Sequence, residues 1–340
     1  MNILLTSVGR RTYLVDYFKD ALIESQGKVF AANSTFTYAM THADSYIITP
    51  EIYSNNYIDF LLQYCKENNI NVIISLFDID LPILAKNKQK FLDIGINIIV
   101  SSPNVIDTCN DKWKTYLFLV EKNIPTPKTF LSLSEVHNAI ENNTLELPLI
   151  IKPRWGMGSI GIYKAETIDE LNIFYKKVKH EIQSTYLKYE SALDIEKSVL
   201  IQQYISGNEY GLEIINDLDG NYITTFCKQK VAMRSGETDQ ALTINNLALH
   251  KLGELLSREL GHVCILDTDC LEENGKFYVL EMNARFGGQY PFSHLAGANI
   301  PKQIIEWISN GQTKNEYVTI KENVLCCKDI KPTIIIKNEY

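Results

Sequence analysis

The first hundred residues alternate short apolar runs with amphipathic stretches, and this rhythm restricts the fold more than any other feature of the chain. Residues 2–6 form an apolar run closed by Ser7-Val8-Gly9, and an amphipathic stretch follows from Arg10 to about Ser25. Residues 28–33, 46–49, 71–75 and 97–100 are further strand candidates, separated by helical stretches at about 54–68 and 81–93. Strands and helices at this spacing specify a doubly wound parallel sheet. Ligands of such sheets gather at the carboxyl ends of the strands, here Ser7-Val8-Gly9, Asn33-Ser34, Phe77-Asp78 and Ser101-Ser102. Arg10 and Arg11 stand at the first strand-to-helix turn, where a helix N-terminus favours anions, although a solvated first turn is the plainer reading. Asp78 and Asp80 read first as helix caps, with substrate contact as the alternative.

Charge narrows the partners. Among 340 residues there are 33 basic and 41 acidic ones, a formal charge of −8, which argues against a nucleic-acid backbone as ligand but leaves nucleotides open. No apolar run approaches the length of a membrane span, and the start carries no basic leader. Seven cysteines are scattered apart from Cys326-Cys327, without a CxxC pair, so a reduced, cytoplasmic protein is expected.

The chemistry-bearing residues fall in the remaining two thirds, where a helix is expected from Trp113 to Lys122 and strands at 147–152, 162–165, 200–205, 210–215, 222–226, 263–271 and 277–282. The run Gly156-Met157-Gly158-Ser159-Ile160-Gly161 spells G-x-G-x-x-G, but Ile162-Tyr163-Lys164-Ala165 resumes a strand pattern where a dinucleotide turn requires a helix. The glycines therefore read as a strand–loop–strand flap whose N–H groups suit phosphates, with Lys152 just upstream; a plain hairpin is the competing reading. Glu281-Met282-Asn283-Ala284-Arg285 follows the apolar Phe277-Tyr278-Val279-Leu280, and alternation puts Glu281, Asn283 and Arg285 on one face. A buried strand needs a reason to carry such a face: carboxylate beside carboxamide suits Mg²⁺, and arginine suits a phosphoryl oxygen. Asp267 and Asp269 lie on the preceding strand. A two-residue Asn274-Gly275 turn would pair Asp269 with Leu280 and split the acids between faces, whereas a three- or five-residue loop gathers Asp267, Asp269, Glu281 and Asn283. The odd-length loop is expected, giving a two-cation site. Ile201-Gln202-Gln203-Tyr204-Ile205, leading to Gly207-Asn208-Glu209, suits an adenine hinge with Glu209 for ribose hydroxyls, unless it is an ordinary strand and loop.

Taken in order, Asp111-Lys112, Lys152 with the flap, the hinge, Lys228-Gln229-Lys230, Asp269 and Glu281-x-Asn283-x-Arg285 resemble the ATP-grasp superfamily. The opening Asn2 to Arg11 resembles the pre-ATP-grasp domain of carbamoyl-phosphate-synthase-like members, so the resemblance covers roughly residues 1–310. It implies a Rossmann-like α/β domain with a parallel sheet at 1–103 and a two-lobed α+β grasp with antiparallel sheets at 104–325. The lid lobe would span about 125–203, the large lobe about 204–325, and a tail 326–340. It implies ATP and Mg²⁺, with two ions and Mn²⁺ able to substitute, and a carboxylate–amine ligase acting through an acyl phosphate with release of ADP and phosphate. The substrates would be a small-molecule carboxylate and amine, and a homodimer is compatible with the family.

Residue by residue, Lys112 and Lys152 match the phosphate lysines, Gly156, Gly158, Ser159 and Gly161 the flap, Gln202, Gln203, Tyr204 and Ile205 the adenine hinge, and Glu209 the ribose acid. Asp269, Glu281 and Asn283, with Asp267 as a further candidate, match the metal ligands; Arg285 matches the arginine at the transferring phosphoryl group, and Lys230 a lysine near the γ-phosphate. The chain departs from the pattern at Gln203, where Glu is frequent, and at Ala284, where Pro is common. Arg234 is expected to bind the acceptor carboxylate or acyl phosphate, a surface arginine being the alternative. A kinase of a small carboxylate or carbamate and a non-catalytic ATP sensor are the competing functions.

Overall fold

The structure is a computed structural model that describes residues 1–156 and 160–334. Strands β1 (Asn2–Thr6), β2 (Lys28–Asn33), β3 (Ser45–Ile48), β4 (Val72–Ser75) and β5 (Asn97–Ile98) form one parallel sheet in the order β3-β2-β1-β4-β5. Its two faces are both covered, as parallel sheets require. Leu4 and Ile73 face α2 (Tyr57–Glu67) and α3 (Leu81–Leu92), while Ile3 and Leu5 face α1 (Thr12–Leu22). The expected α/β domain is present, and Asp80 holds the N-cap position of α3 without a side-chain capping bond: its buried carboxylate collects the hydroxyls of Thr6, Ser7, Tyr57 and Ser75 at the ends of β1 and β4.

Two helices, α4 (Pro103–Asn110) and α5 (Lys112–Glu121), leave this domain; the sequence reading found only the second. Asp111 separates them with extended backbone and accepts from Trp113 N at 3.0 Å, capping α5. Next comes a four-stranded antiparallel sheet, β6 (Thr129–Phe130), β7 (Leu149–Pro153), β8 (Tyr163–Ala165) and β9 (Val199–Gln203), in the order β6-β9-β7-β8. It packs on α6 (Leu133–Glu141), α7 (Ile168–Ser184) and the short α8 (Lys188–Ser191), with a hydrophobic core of its own built from Leu149, Ile151, Val178 and Ile201 among others.

The large sheet holds β10 (Asn208–Asn216), β11 (Tyr222–Arg234), β12 (Glu237–Ile244), β13 (Ile265–Glu273), β14 (Lys276–Asn283) and β15 (Leu325–Cys327), in the order β14-β13-β10-β11-β12-β15. All its pairings are antiparallel. α9 (Leu247–Leu260), α10 (Tyr290–Leu295) and α11 (Ile300–Asn310) complete this part. Two corrections apply. β11 continues to Arg234 and turns at Ser235-Gly236, both at positive φ, into β12, which its Glu-Thr-Asp-Gln start had concealed. The expected tail begins as β15, whose Cys327 pairs with Gln240. Among the described residues no helix is long and apolar enough to cross a membrane.

The β13–β14 connection overturns the loop expectation and keeps its consequence. The turn is the two-residue Asn274-Gly275, with both residues at positive φ (53° and 77°) and Glu273 opposite Lys276. That register would pair Asp269 with Leu280. A bulge intervenes between Asp269 and Cys270: Cys270 faces Val279, but Asp269 faces Glu281, and Leu280 is the extra residue. The side-chain parity flips there, and Asp267 comes opposite Asn283 on the same face. β14 is the edge strand of its sheet rather than a central one, and its open edge is closed by Pro125 O accepting from Val279 N at 2.9 Å.

Candidate active site

Glu281 and Asn283 line a cleft together with Asp78, Asn110, Lys112, Gly156 and Glu190, and Asp269 lies opposite Glu281 on the adjoining strand, the three making one floor. Burial would raise the Glu281 carboxyl, but Lys112, Lys152, Lys230 and Arg285 together hold it below the usual carboxylate range. Lys112 Nζ stands 3.7 Å from Glu281 Oε2 and donates to Gly156 O, so lysine, floor and glycine loop meet at one point. Lys230 Nζ lies 2.7 Å from both Glu209 Oε1 and Asp269 Oδ1. Burial alone would lower this ammonium; the two carboxylates overcome it and keep the proton in place.

The fourth expected oxygen donor is committed elsewhere. Arg285 donates through Nη1 to Asp267 Oδ2 at 2.9 Å and through Nε and Nη2 to Asp78 Oδ2 at 3.1 and 2.9 Å. Gln289 Nε2 takes Asp267 Oδ1. Both Asp267 oxygens are thus engaged, and of the four expected oxygen donors three remain uncommitted to Arg285. Arg285 tethers the parallel-sheet domain to the large sheet, which also corrects the cap reading of Asp78.

Asp78 Oδ1 and Asn110 Oδ1 are buried acceptors without partners, and both residues line the cleft. Glu190, carried on α8 of the other lobe, adds a carboxyl that burial and then Asp78 push up to about 7. Together they make an acidic cup fitted to a cationic group. Neither Glu190 nor the buried Asp111–Arg154 pair (2.7 Å), which pins the strand end before the glycine loop, figured in the sequence reading. Asp111 at least carried the signal of an N-cap.

Lys152 is buried on β7 and donates to Gln202 Oε1 at 2.8 Å, while Gln202 Nε2 donates to Thr129 Oγ1 at 2.9 Å. The Gln202 side chain therefore orients the lysine. Burial and the nearby Lys112 lower Lys152 to about 8. Gly156 sits at φ +138°, a conformation strained for other residues, and a Cβ there would lie 2.9 Å from Leu187 Cδ2, so the loop entrance favours glycine. The loop runs from β7 to β8, as a flap requires, and Gly161 lies at its end; Gly158 and Ser159 lie outside the described residues.

Between β9 and β10 runs the hinge. Gln203 Oε1 accepts from Lys128 N at 3.3 Å, Ile205 is buried, and Tyr204 is exposed with Lys164 Nζ 4.6 Å from its ring centroid. Glu209, the second residue of β10, lies on the floor side, bound to Lys230. Arg234, at the tip of the β11–β12 hairpin, is exposed and paired with Asp239 at 3.0 Å. The structure brings together Lys112, Lys152, Lys230, Glu209, Asp269, Glu281, Asn283 and Arg285, and leaves Arg234 at the rim.

The donors suit a hard cation: two carboxylates and a carboxamide oxygen on one face, flanked by lysines that fit phosphate oxygens. No group of three His, Cys, Asp or Glu among the described residues could hold a metal by itself. A cation here would share its coordination with a phosphate-bearing ligand.

An ATP-grasp domain model matches residues 109–289, more than half of the chain, and a PylC-like, N-terminal domain model matches residues 3–99. The chain is 24% identical over 221 residues to the carbamoyl phosphate synthase large chain of Thermoanaerobacter sp. (strain X514), covering 62% of this chain and 20% of that one. It thus spans about a fifth of that relative's length. It is 27% identical over 244 residues to D-alanine–D-alanine ligase of Thermotoga petrophila, covering 65% of this chain and 73% of that one. The fold superposes on the biotin carboxylase domain dimer of Hydrogenobacter thermophilus 2-oxoglutarate carboxylase, solved with MgADP, ADP and bicarbonate, with a TM-score of 0.74 at 18% identity, over 95% of this chain and 73% of that one. With the family's domain covering the lid, the hinge and the acidic floor, the chain belongs to the ATP-grasp family.

Proposed function

We propose that the chain is an ATP-dependent carboxylate–amine ligase that activates a carboxylate as an acyl phosphate and couples it to an amine, releasing ADP and phosphate. The observation that carries this reading is the floor itself: Asp269, Glu281 and Asn283 on one face, beneath Lys112 and the Gly156 loop. Phosphoryl transfer to a carboxylate brings two anions together, so catalysis consists of positioning and charge compensation. Lys112 and Lys152 approach phosphate oxygens from the lid side, Gln202 holding the Lys152 ammonium in place. Asp269, Glu281 and Asn283 would hold Mg²⁺, two ions in this reading and Mn²⁺ in its place, supplying further positive charge at the phosphates when bound. For this, Lys230 releases Asp269 and keeps Glu209, leaving its charge at the nucleotide.

Arg285 stays protonated between Asp78 and Asp267 and presents a fixed cation at the end of the floor. The acidic cup fits the ammonium of the incoming amine, and the loop following Gly156 excludes water from a hydrolysable intermediate. Similarity to a protein named D-alanine–D-alanine ligase supports the amide-forming class.

The test is an ADP-release screen of carboxylates crossed with amines, with hydroxylamine as a trap for acyl phosphates. A productive pair should give ADP and amide in equal amounts, and Glu281→Gln should reduce the rate by roughly a hundredfold or more. Stoichiometric ADP release without amine consumption would indicate the carboxylate kinase instead. No stimulation by any pair, with ATP still bound, would leave a sensor.

A further inference from the structure

Beyond Arg285, on the N-terminal domain, stands a cation that none of the steps above uses. Ser7 and Gly9 are both in the left-handed region, at φ 55° and 53°, and Arg11 N closes the turn by donating to Val8 O at 2.9 Å. Ser7 Oγ is tied to Asp80 at 3.3 Å, which anchors the turn to the parallel sheet. The two arginines then part. Arg10 is exposed and lies 3.8 Å from Glu237. Arg11 turns inward, and its Nη1 is buried without a hydrogen-bond partner. Burial, then the Arg285 guanidinium, depresses its pKa; Asp78 and Asp267 act on it from nearby, but both already hold Arg285.

A second cation approaches from β15. Lys328 Nζ lies 3.7 Å from where a Cβ on Gly288 would stand, 5.7 Å from the Phe292 ring centroid and 3.4 Å from Glu237. Its pKa is lowered by burial, with Arg11 among the contributors. A buried guanidinium N–H without an acceptor is unfavourable unless a ligand supplies one, and a guanidinium fork matches a carboxylate in shape and charge.

We propose that Arg11, assisted by Lys328, binds a carboxylate of the organic substrate where the α1 turn, the Gly287-Gly288 turn and the end of β15 come together. This deepens the ligase reading and rests on it. It gives the N-terminal domain a direct part in substrate recognition and moves that role from Arg234 at the rim to Arg11 inside.

The full chain, loaded with Mg²⁺ and a non-hydrolysable ATP analogue, is titrated calorimetrically with glycine, L-alanine, L-glutamate and succinate. Separate arms use the corresponding primary amides and inorganic phosphate. At least one carboxylate should bind and its amide should not. Arg11→Ala should weaken that carboxylate by roughly tenfold or more and Lys328→Gln by roughly threefold, with Arg11→Lys recovering part of the loss and analogue affinity unchanged within about twofold. Far-ultraviolet dichroism checks the fold, and the partly exposed Lys328 keeps the test valid if Arg11→Ala fails to fold. Absence of carboxylate binding to the wild type, binding of phosphate alone, or an unchanged affinity in folded Arg11→Ala would each overturn the proposal. Failure of the analogue itself to bind would overturn the nucleotide reading instead, and carboxylate titration of the nucleotide-free chain would still read the Arg11 site.

Discussion

The two antiparallel sheets of this protein are anchored differently. The lid sheet has a buried apolar core drawn from residues between Val136 and Ile201, and it is tied to the rest of the chain by polar and ring contacts such as Arg154–Asp111 and Tyr189–Tyr53. The large sheet shares its core with the N-terminal domain: Leu4 and Ile73 of the parallel sheet belong to the same cluster as Leu212, Val279 and Met282, and Ile3 and Leu5 to that of Phe226 and Phe286. A segment with a separate core can open as a unit, while a shared core locks two elements into one body. The floor of the site, which must keep three donors in register, belongs to the locked body. Lys152, on β7, belongs to the part with the separate core.

That contrast can be broken or sharpened. The largest effect is expected for Arg285→Ala, which leaves Asp78 and Asp267 buried without their counter-charge. About 4 kcal/mol should be lost, and the parallel and large sheets should melt together in calorimetry; separate transitions would refute the shared body. In the lid, Ile151 is fully buried. Ile151→Ala should cost about 3 kcal/mol yet raise hydrogen exchange chiefly within 129–203. Exchange rising equally in β10 and β13 would show that the lid is not an independent unit.

Acid should act on the body in a defined direction. His262 is fully buried and hydrogen-bonded through Nε2 to Ile214 O at 3.0 Å, and burial lowers its pKa to about 4. Below pH 6.5 the unfolded chain binds a proton that the folded chain refuses, so stability present at neutral pH is lost as pH falls toward 4. The advantage of the wild type over His262→Gln should shrink by about 2 kcal/mol between pH 6.5 and 5. A difference independent of pH in paired urea titrations would contradict the neutral buried imidazole. The smallest effect concerns Thr167, whose hydroxyl accepts from Glu170 N at 3.2 Å and caps α7. Thr167→Ala should cost about 1 kcal/mol, seen as faster exchange in α7 alone.

Much of this arrangement was legible beforehand because it is local. Apolar runs of four to six residues separated by amphipathic stretches gave the parallel sheet, and strand patterns on both sides of Gly156 marked a flap rather than a dinucleotide turn. β12 was missed because its polar residues carry no clean alternation, and its hydrogen bonds come from β11 and β15, not from its own sequence. The side-chain role of Gln202 was hidden for a related reason: a carboxamide at a strand end gives no sign that a lysine fifty residues away will seek its oxygen.

The residue types on the floor and their spacing along each strand were set by the sequence alone, because side chains on a strand alternate whatever the strand pairs with. Whether those faces coincide was not. One extra residue at Leu280 reversed the parity imposed by a two-residue turn, and a bulge is chosen by the packing of two strands together. Arg285 likewise found Asp78 across 207 residues of chain, and Arg11 Nη1 was left without an acceptor by being folded near that pair. Charges acquire partners, or are left without them, only when distant segments exclude water from between them.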